Sequence, residues 1–274
     1  MWREQKRNRL KSKGLGLLYI GWFSSGKDKA ARELLRTVQE NIIRGEIEGK
    51  ITFVFSNREP GETEESDKFF QLVQSYGLPL ICLSHRRFRA GLPIRQREGR
   101  ESWRLQYDRE IERRIANFAP DLCVLAGYML IVGEELCRKY NMINLHPAPP
   151  GGPTGSWQEV IWSLIHNRAD TAGAMIHLVT PELDRGPVIS YCLFSIKGEP
   201  FEQYWQRNDN EALFHLIRQH ELARELPLIT VTLQSLCRKE IVIKNGKIWD
   251  TEGKPISGYD FSARVDEVVR KLIK

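Results

Sequence analysis

A chain of 274 residues, 41% hydrophobic and 28% charged, is long enough for one sizeable core with an appendage, or for two small domains. No apolar run approaches the roughly 20 residues that cross a bilayer, which excludes a helical membrane protein. The formal charge of +6 sits mostly at one end: residues 1–13 hold six Lys or Arg against one Glu, which leaves the rest near +1, so nucleic acid is not expected as a partner.

In chain order, residues 1–13 read as a basic tail, too polar for the apolar stretch of a secretory signal, and a cytoplasmic protein is expected. Leu15 to Phe23 is an apolar run ending in Ser-Ser-Gly, and Asp28 to Ile43 carries helical spacing through Ala31, Leu34, Leu35, Val38 and Ile42. Strands are expected at 51–55, 80–83, 121–126 and 142–146, with helices over 69–76, 107–118 and 133–140 between them. Further on come a helix from Trp157 to Ile165, strands at 172–179 and 188–196, and a helical region from Glu211 to Cys237 that Pro227 is expected to break. Asn245-Gly246 supplies the two-residue turn of a hairpin over 240–250, and 261–273 again has helical spacing. Strands alternating with helices imply an α/β fold: a Rossmann-like, mainly parallel twisted sheet with helices on both faces. A small hairpin and helix appendage over 238–274 would follow a main domain of 14–237. The five cysteines are widely spaced and form no C-x-x-C pair, so neither a disulfide framework nor a zinc site is indicated.

Three segments carry polar side chains where chemistry could occur. Gly21 to Lys27 fits G-x-x-x-x-G-K between a strand and a helix, but Asp28 stands where a nucleotide-hydrolysing loop needs Ser or Thr for magnesium. The modest reading is a helix N-terminus suited to a single phosphate. Asn144 and His146 close an apolar strand before a Pro/Gly turn. Two residues apart, they point to one face at the strand's C-terminal edge, where open α/β sheets keep their ligand crevice. Asp184 lies in an acidic turn between two strands, where a turn former needs no further role.

The ordered set VFSN (54–57), YDREI (107–111), PDLCVLAGYMLIV (120–132), INLHP (143–147) and HLVTPELDRGPVI (177–189) resembles the folate-dependent formyltransferase family over roughly residues 15–235. That resemblance implies transfer of a formyl group from 10-formyltetrahydrofolate, as co-substrate, to a primary amine, with no metal. The first acceptor it points to is glycinamide ribonucleotide of purine synthesis. Asn144, His146 and Asp184 match the family's catalytic residues. Tyr128, Met129, Leu130, Ile131 and Val132, with Glu182 and Leu183, match the wall that holds the folate's pterin. Arg104 matches an arginine near the folate's glutamate tail. Ser25, Gly26 and Lys27 match the loop that takes the acceptor's phosphate, and Glu221 falls near an acceptor-binding glutamate, one residue out of step. His177 is read as supporting rather than reacting.

Two departures fall on the acceptor side: Lys27-Asp28-Lys29-Ala30 where family members carry Ser-Asn, and Ala148 to Pro153 after the histidine. The expected partner is a small, phosphorylated amine, with the chain acting as a monomer or homodimer. An amino-sugar nucleotide is the alternative acceptor, and a non-catalytic folate- or nucleotide-binding module the alternative of another class. A relative acting on methionyl-tRNA would need a C-terminal barrel of about a hundred residues, and a formyl-folate hydrolase a domain ahead of the first strand; neither is expected here.

Overall fold

The structure is a computed structural model that describes residues 16–97 and 100–272; the basic tail lies outside them. The first half winds β1 (Leu18–Phe23), α1 (Lys29–Ile43), β2 (Gly49–Ser56), α2 (Glu64–Ser75) and β3 (Leu80–Cys82). Three helices then precede the next strand: α3 (His85–Gly91), α4 (Ile94–Arg97) and α5 (Arg100–Ile115). The second half runs β4 (Leu122–Leu125), α6 (Glu134–Lys139), β5 (Met142–His146), α7 (Trp157–His166), β6 (Thr171–Leu178) and β7 (Val188–Ser195). It ends with α8 (Glu202–Arg207), α9 (Asn210–Cys237), β8 (Val242–Lys244), β9 (Lys247–Trp249), β10 (Tyr259–Asp260) and α10 (Ser262–Leu272).

Eight strands form one sheet in the order β10-β7-β6-β5-β4-β1-β2-β3. β1 pairs in parallel with both β2 and β4. The chain therefore winds outward to β3 on one side of β1, then restarts at β4 on the other. That reversal opens a crevice beyond the C-terminal ends of β1 and β4. β6 pairs antiparallel with β5 and β7, which is why the sheet is mainly rather than wholly parallel.

The central strands are buried on both faces, so their sequences read as continuous apolar runs. Ile20 and Trp22 belong to the cluster under α1, α2 and α9, whereas Phe23, Phe53 and Phe55 belong to the one under α5. Each such large side chain contributes about 1.5–3 kcal/mol through burial. Gly21 is required in β1, since a Cβ there would meet the Phe53 ring at 2.5 Å.

One expectation changes. Pro227 does not break the helix: α9 runs unbroken over 28 residues with Pro227 inside it. Proline removes one backbone N–H and strains the preceding turn, but buried Leu228, Ile229 and Leu233 hold the segment on the sheet. Short helices α3, α4 and α8 occupy segments where the sequence predicts no element. The hairpin β8–β9 turns at Asn245-Gly246, both left-handed, while β10 rejoins the main sheet beside β7. Residues 238–272 are thus continuous with the main core at that edge.

Candidate functional site

Asn144 and His146 sit at the end of β5, and the antiparallel register sets Asn144 opposite His177 and His146 opposite Met175. Asn144, His146 and His177 consequently share one face. Asp184 arrives from the β6–β7 turn in left-handed conformation (φ 53°). Gly186 lets that turn fold tightly over β6, because a Cβ there would lie 1.7 Å from the Leu178 carbonyl oxygen.

The four side chains form one network. Asn144 Nδ2 donates to Asp184 Oδ1 at 3.4 Å and approaches His177 Nε2 at 3.2 Å. His177 Nδ1 lies 2.8 Å from the Leu178 carbonyl, so it carries the proton there and Nε2 is left to accept from Asn144. Asp184 Oδ2 accepts from the Gly155 N–H at 3.1 Å and lies 3.7 Å from His146 Nδ1. His146 Nε2 donates to the Pro153 carbonyl at 3.0 Å. Both imidazole nitrogens of His146 therefore face oxygen acceptors, an arrangement that favours the cation. Burial acts the other way and prevails over the Pro153 and Asp184 contributions, holding the imidazole below its ordinary pKa. For Asp184, burial pushes the carboxyl up, but the His146 charge and the Gly155 N–H act against it and the carboxyl stays below the usual value.

These groups open into a cleft of about 330 Å³. One wall is loop 127–131, another the start of α1 with Lys27 and Asp28, a third the start of α7 with Trp157 and Gln158. Arg218 and Glu225 of α9 complete it. A smaller recess of about 60 Å³ adjoins it between Leu130 to Val132 and Val179, Thr180 and Leu183; Asn144 and Asp184 line both. Met129 and Leu183 are large apolar side chains left 52% and 47% exposed at the cleft. Tyr128 and Val132 are buried beneath the loop, Tyr128 edge-on to Phe23. Among the described residues no group of three or more His, Cys, Asp or Glu side chains could hold a metal ion, and no helix is long and apolar enough to cross a membrane.

The residues singled out from sequence divide into two groups. Asn144, His146, Asp184, Tyr128, Met129, Leu130, Ile131, Leu183 and Lys27 all line the cleft, and Val132 lines the recess. Glu182 is exposed beside it, its carbonyl accepting from Thr180 Oγ1. Ser25 and Gly26 are buried and line neither cavity. Gly26 is left-handed (φ 56°), and a Cβ would meet the Phe69 ring at 2.8 Å, so packing accounts for that glycine. Arg104 is outside both cavities, its guanidinium 5.9 Å from the Trp103 ring centroid. Glu221 is fully buried and off the cleft; burial, reinforced by Glu225, pushes its carboxyl well above the ordinary range.

Gln158, Arg218 and Glu225 are among the cleft residues that were not singled out. Arg218 Nη1 donates to Glu225 Oε1 at 2.6 Å and to Glu221 Oε2 at 3.4 Å, and its guanidinium lies 4.6 Å from the Trp157 ring centroid. Arg218, Glu221 and Glu225 recur at helical spacing, so a charged stripe along one helix face was the available signal.

Asp28 also does more than its sequence position implied. Its Oδ1 accepts from the Ala31 N–H at 3.0 Å, capping α1 with a carboxylate at the cleft wall.

The structure is a doubly wound α/β domain whose strand ends bring an amide, an imidazole and a carboxylate together at one cleft. The chain belongs to the formyl transferase family, whose signature matches residues 22–207. It is 32% identical over 126 residues to phosphoribosylglycinamide formyltransferase of Saccharomyces cerevisiae, covering 43% of this chain and 59% of that one. With the enzyme of the same name from Schizosaccharomyces pombe it shares 28% identity over 181 residues, 60% of this chain and 77% of that one. The chain thus spans less than two thirds of the Saccharomyces cerevisiae relative's length. Its fold is that of the phosphoribosylglycinamide formyltransferase of Coxiella burnetii, with a TM-score of 0.68 at 20% identity over 89% of this chain and 99% of that one.

Proposed function

We propose that this protein transfers the formyl group of 10-formyltetrahydrofolate to the amine of glycinamide ribonucleotide. The observation that carries the reading is the convergence of Asn144, His146 and Asp184 at the mouth of one cleft, beside an apolar recess. Residues Met129 to Val132 and Leu183 suit a flat ring with an apolar face, and their backbone groups suit its polar edge. The names of the yeast relatives support the acceptor.

The folate co-substrate supplies the formyl carbon. When an amine adds to that carbon, the carbonyl oxygen gains negative charge, and Asn144 can turn an N–H toward it; losing such a donor costs about 100- to 1,000-fold in rate. Its two internal hydrogen bonds, at 3.2 and 3.4 Å, are long enough for one to be exchanged for that new partner. His146, held below its ordinary pKa, is set to take a proton from the attacking amine. Asp184 stabilises the imidazolium that results, and the proton then passes to the folate nitrogen as its bond to the formyl carbon breaks and the carbonyl re-forms on the acceptor amine. Lys27 and Arg218 are the cations of the cleft available to the acceptor's phosphate.

The test is incubation with 10-formyltetrahydrofolate and glycinamide ribonucleotide, following loss of the formyl-folate spectroscopically. His146→Ala should keep folate binding and lose turnover. Efficient transfer to an amino-sugar nucleotide with none to glycinamide ribonucleotide would reassign the acceptor.

A further inference from the structure

The turn after β1 matches a phosphate-holding loop in sequence, yet its central serine faces away from the cleft. Ser25 is 1% exposed and lines neither cavity. Its polar atoms are engaged across the β1–β4 switch: the Ser25 N–H donates to the Gly127 carbonyl at 3.0 Å, and Ser25 Oγ accepts from the Met129 N–H at 2.9 Å. Just before them the Ala126 N–H donates to the Phe23 carbonyl at 3.0 Å. The β1–β4 ladder therefore continues past both strand ends, and its last rung is a side chain.

That rung falls where the chain leaves the sheet. Gly127 is left-handed (φ 68°), and the residues after it turn out over the cleft. The far end of the same loop is held by Asp108 Oδ2, which accepts from the Gly133 N–H at 2.7 Å. Loop 127–133 is thus pinned at both ends by buried side chains, with exposed Met129 and half-buried Leu130 presented between the pins.

We propose that Ser25 is a positioning residue for the formyl donor: it fixes the Met129–Leu130 backbone against which the folate ring binds, and it does not contact the acceptor's phosphate. The proposal rests on the donor reading of loop 127–132. A ring recognised by backbone groups needs those groups held in place before it arrives, because each residue ordered on binding costs free energy that a preformed wall avoids. One hydrogen bond of this kind contributes roughly a five- to tenfold effect on an equilibrium.

Steady-state kinetics with 10-formyltetrahydrofolate and glycinamide ribonucleotide separate the two roles of this serine. For Ser25→Ala, the donor KM should rise roughly five- to tenfold while the acceptor KM stays within about twofold. A rise confined to the acceptor KM, or an unchanged donor KM, overturns the proposal. The variant should fold, because exposed Met129 lets its freed N–H turn toward water. Hydrogen exchange of the unsubstituted protein gives a measurement independent of any variant: the Met129 amide should be protected, and exchange at the rate of an open loop contradicts the inference. Absence of turnover in the unsubstituted protein would count against formyl transfer itself. Equilibrium binding of tetrahydrofolate to both proteins then reads the same role of Ser25, with weaker binding to the variant expected and equal binding overturning it.

Discussion

Asp184 Oδ2 lies 3.7 Å from His146 Nδ1, beyond direct hydrogen-bond reach but close enough for the charge of one to bias the other. Removing that charge while keeping the shape isolates its effect. Asp184→Asn should lower kcat by about 100- to 1,000-fold, the range of a lost charge-stabilising partner. It should also move the His146 pKa further below its ordinary value, since burial lowers it and the Asp184 charge is among the opposing influences. NMR titration of the His146 ring checks this, and a His146 pKa that stays put or rises would show that the carboxylate does not act through charge.

His177 holds Asn144 by accepting from its amide at 3.2 Å, with its own Nδ1 proton committed to Leu178. His177→Ala should let the amide rotate, lowering kcat about tenfold with little change in either KM, as expected when an interaction made in the transition state is weakened. Replacement by Gln, which offers an accepting oxygen, should recover part of the loss. Equal kcat for the Ala variant and the unsubstituted protein would make His177 a packing residue.

Much of this site was legible in sequence because local rules dictate it. Asn144 and His146 share a face through the two-residue period of a strand, and the apolar run before them fixes which end meets the crevice. Their convergence with Asp184, forty residues on, was not local: it depends on β6 returning antiparallel to β5 and on Gly186 folding the turn back over Leu178. Ser25 and Glu221 show the opposite limit. The family resemblance placed them near the cleft, but whether such a side chain faces ligand or core is decided by packing partners such as Met129 and Arg218 that no local pattern encodes. Likewise, Pro227 predicts a break by its own chemistry, and the burial of its neighbours overrides it.

Asp28 places a carboxylate at the N-terminus of α1, where backbone N–H groups would otherwise attract an anion. Asp28→Asn keeps a side-chain oxygen able to cap the Ala31 N–H, and Asn caps about as well as Asp. Only the charge is lost. For a phosphorylated acceptor the KM should therefore fall about two- to fivefold, most clearly at low salt, while the donor KM is unchanged. Asp28→Ala should instead lose about 1 kcal/mol of stability with the cap. A KM that rises in Asp28→Asn would mean that this carboxylate binds the acceptor directly.

Asp108 gives a prediction with a definite pH window. Burial pushes its carboxyl up to about 6 from the ordinary 3.8, against the lowering effects of the Gly133 N–H and Arg104. Between those two values the unfolded chain has released a proton that the folded chain still holds. Stability from this group is therefore complete below about 3.8, declines as pH rises, and levels off above about 6. Asp108→Asn removes the titration and keeps an oxygen for the Gly133 N–H. Relative to the unsubstituted protein, the variant should gain roughly 2–3 kcal/mol between pH 3.5 and 7. Urea midpoints across that range measure the difference, and two parallel stability curves would place the Asp108 ionisation at its ordinary value in the folded protein. Because the Gly133 contact survives, loop 127–133 should keep its shape and the donor KM its value, which separates the charge of Asp108 from its role as a pin.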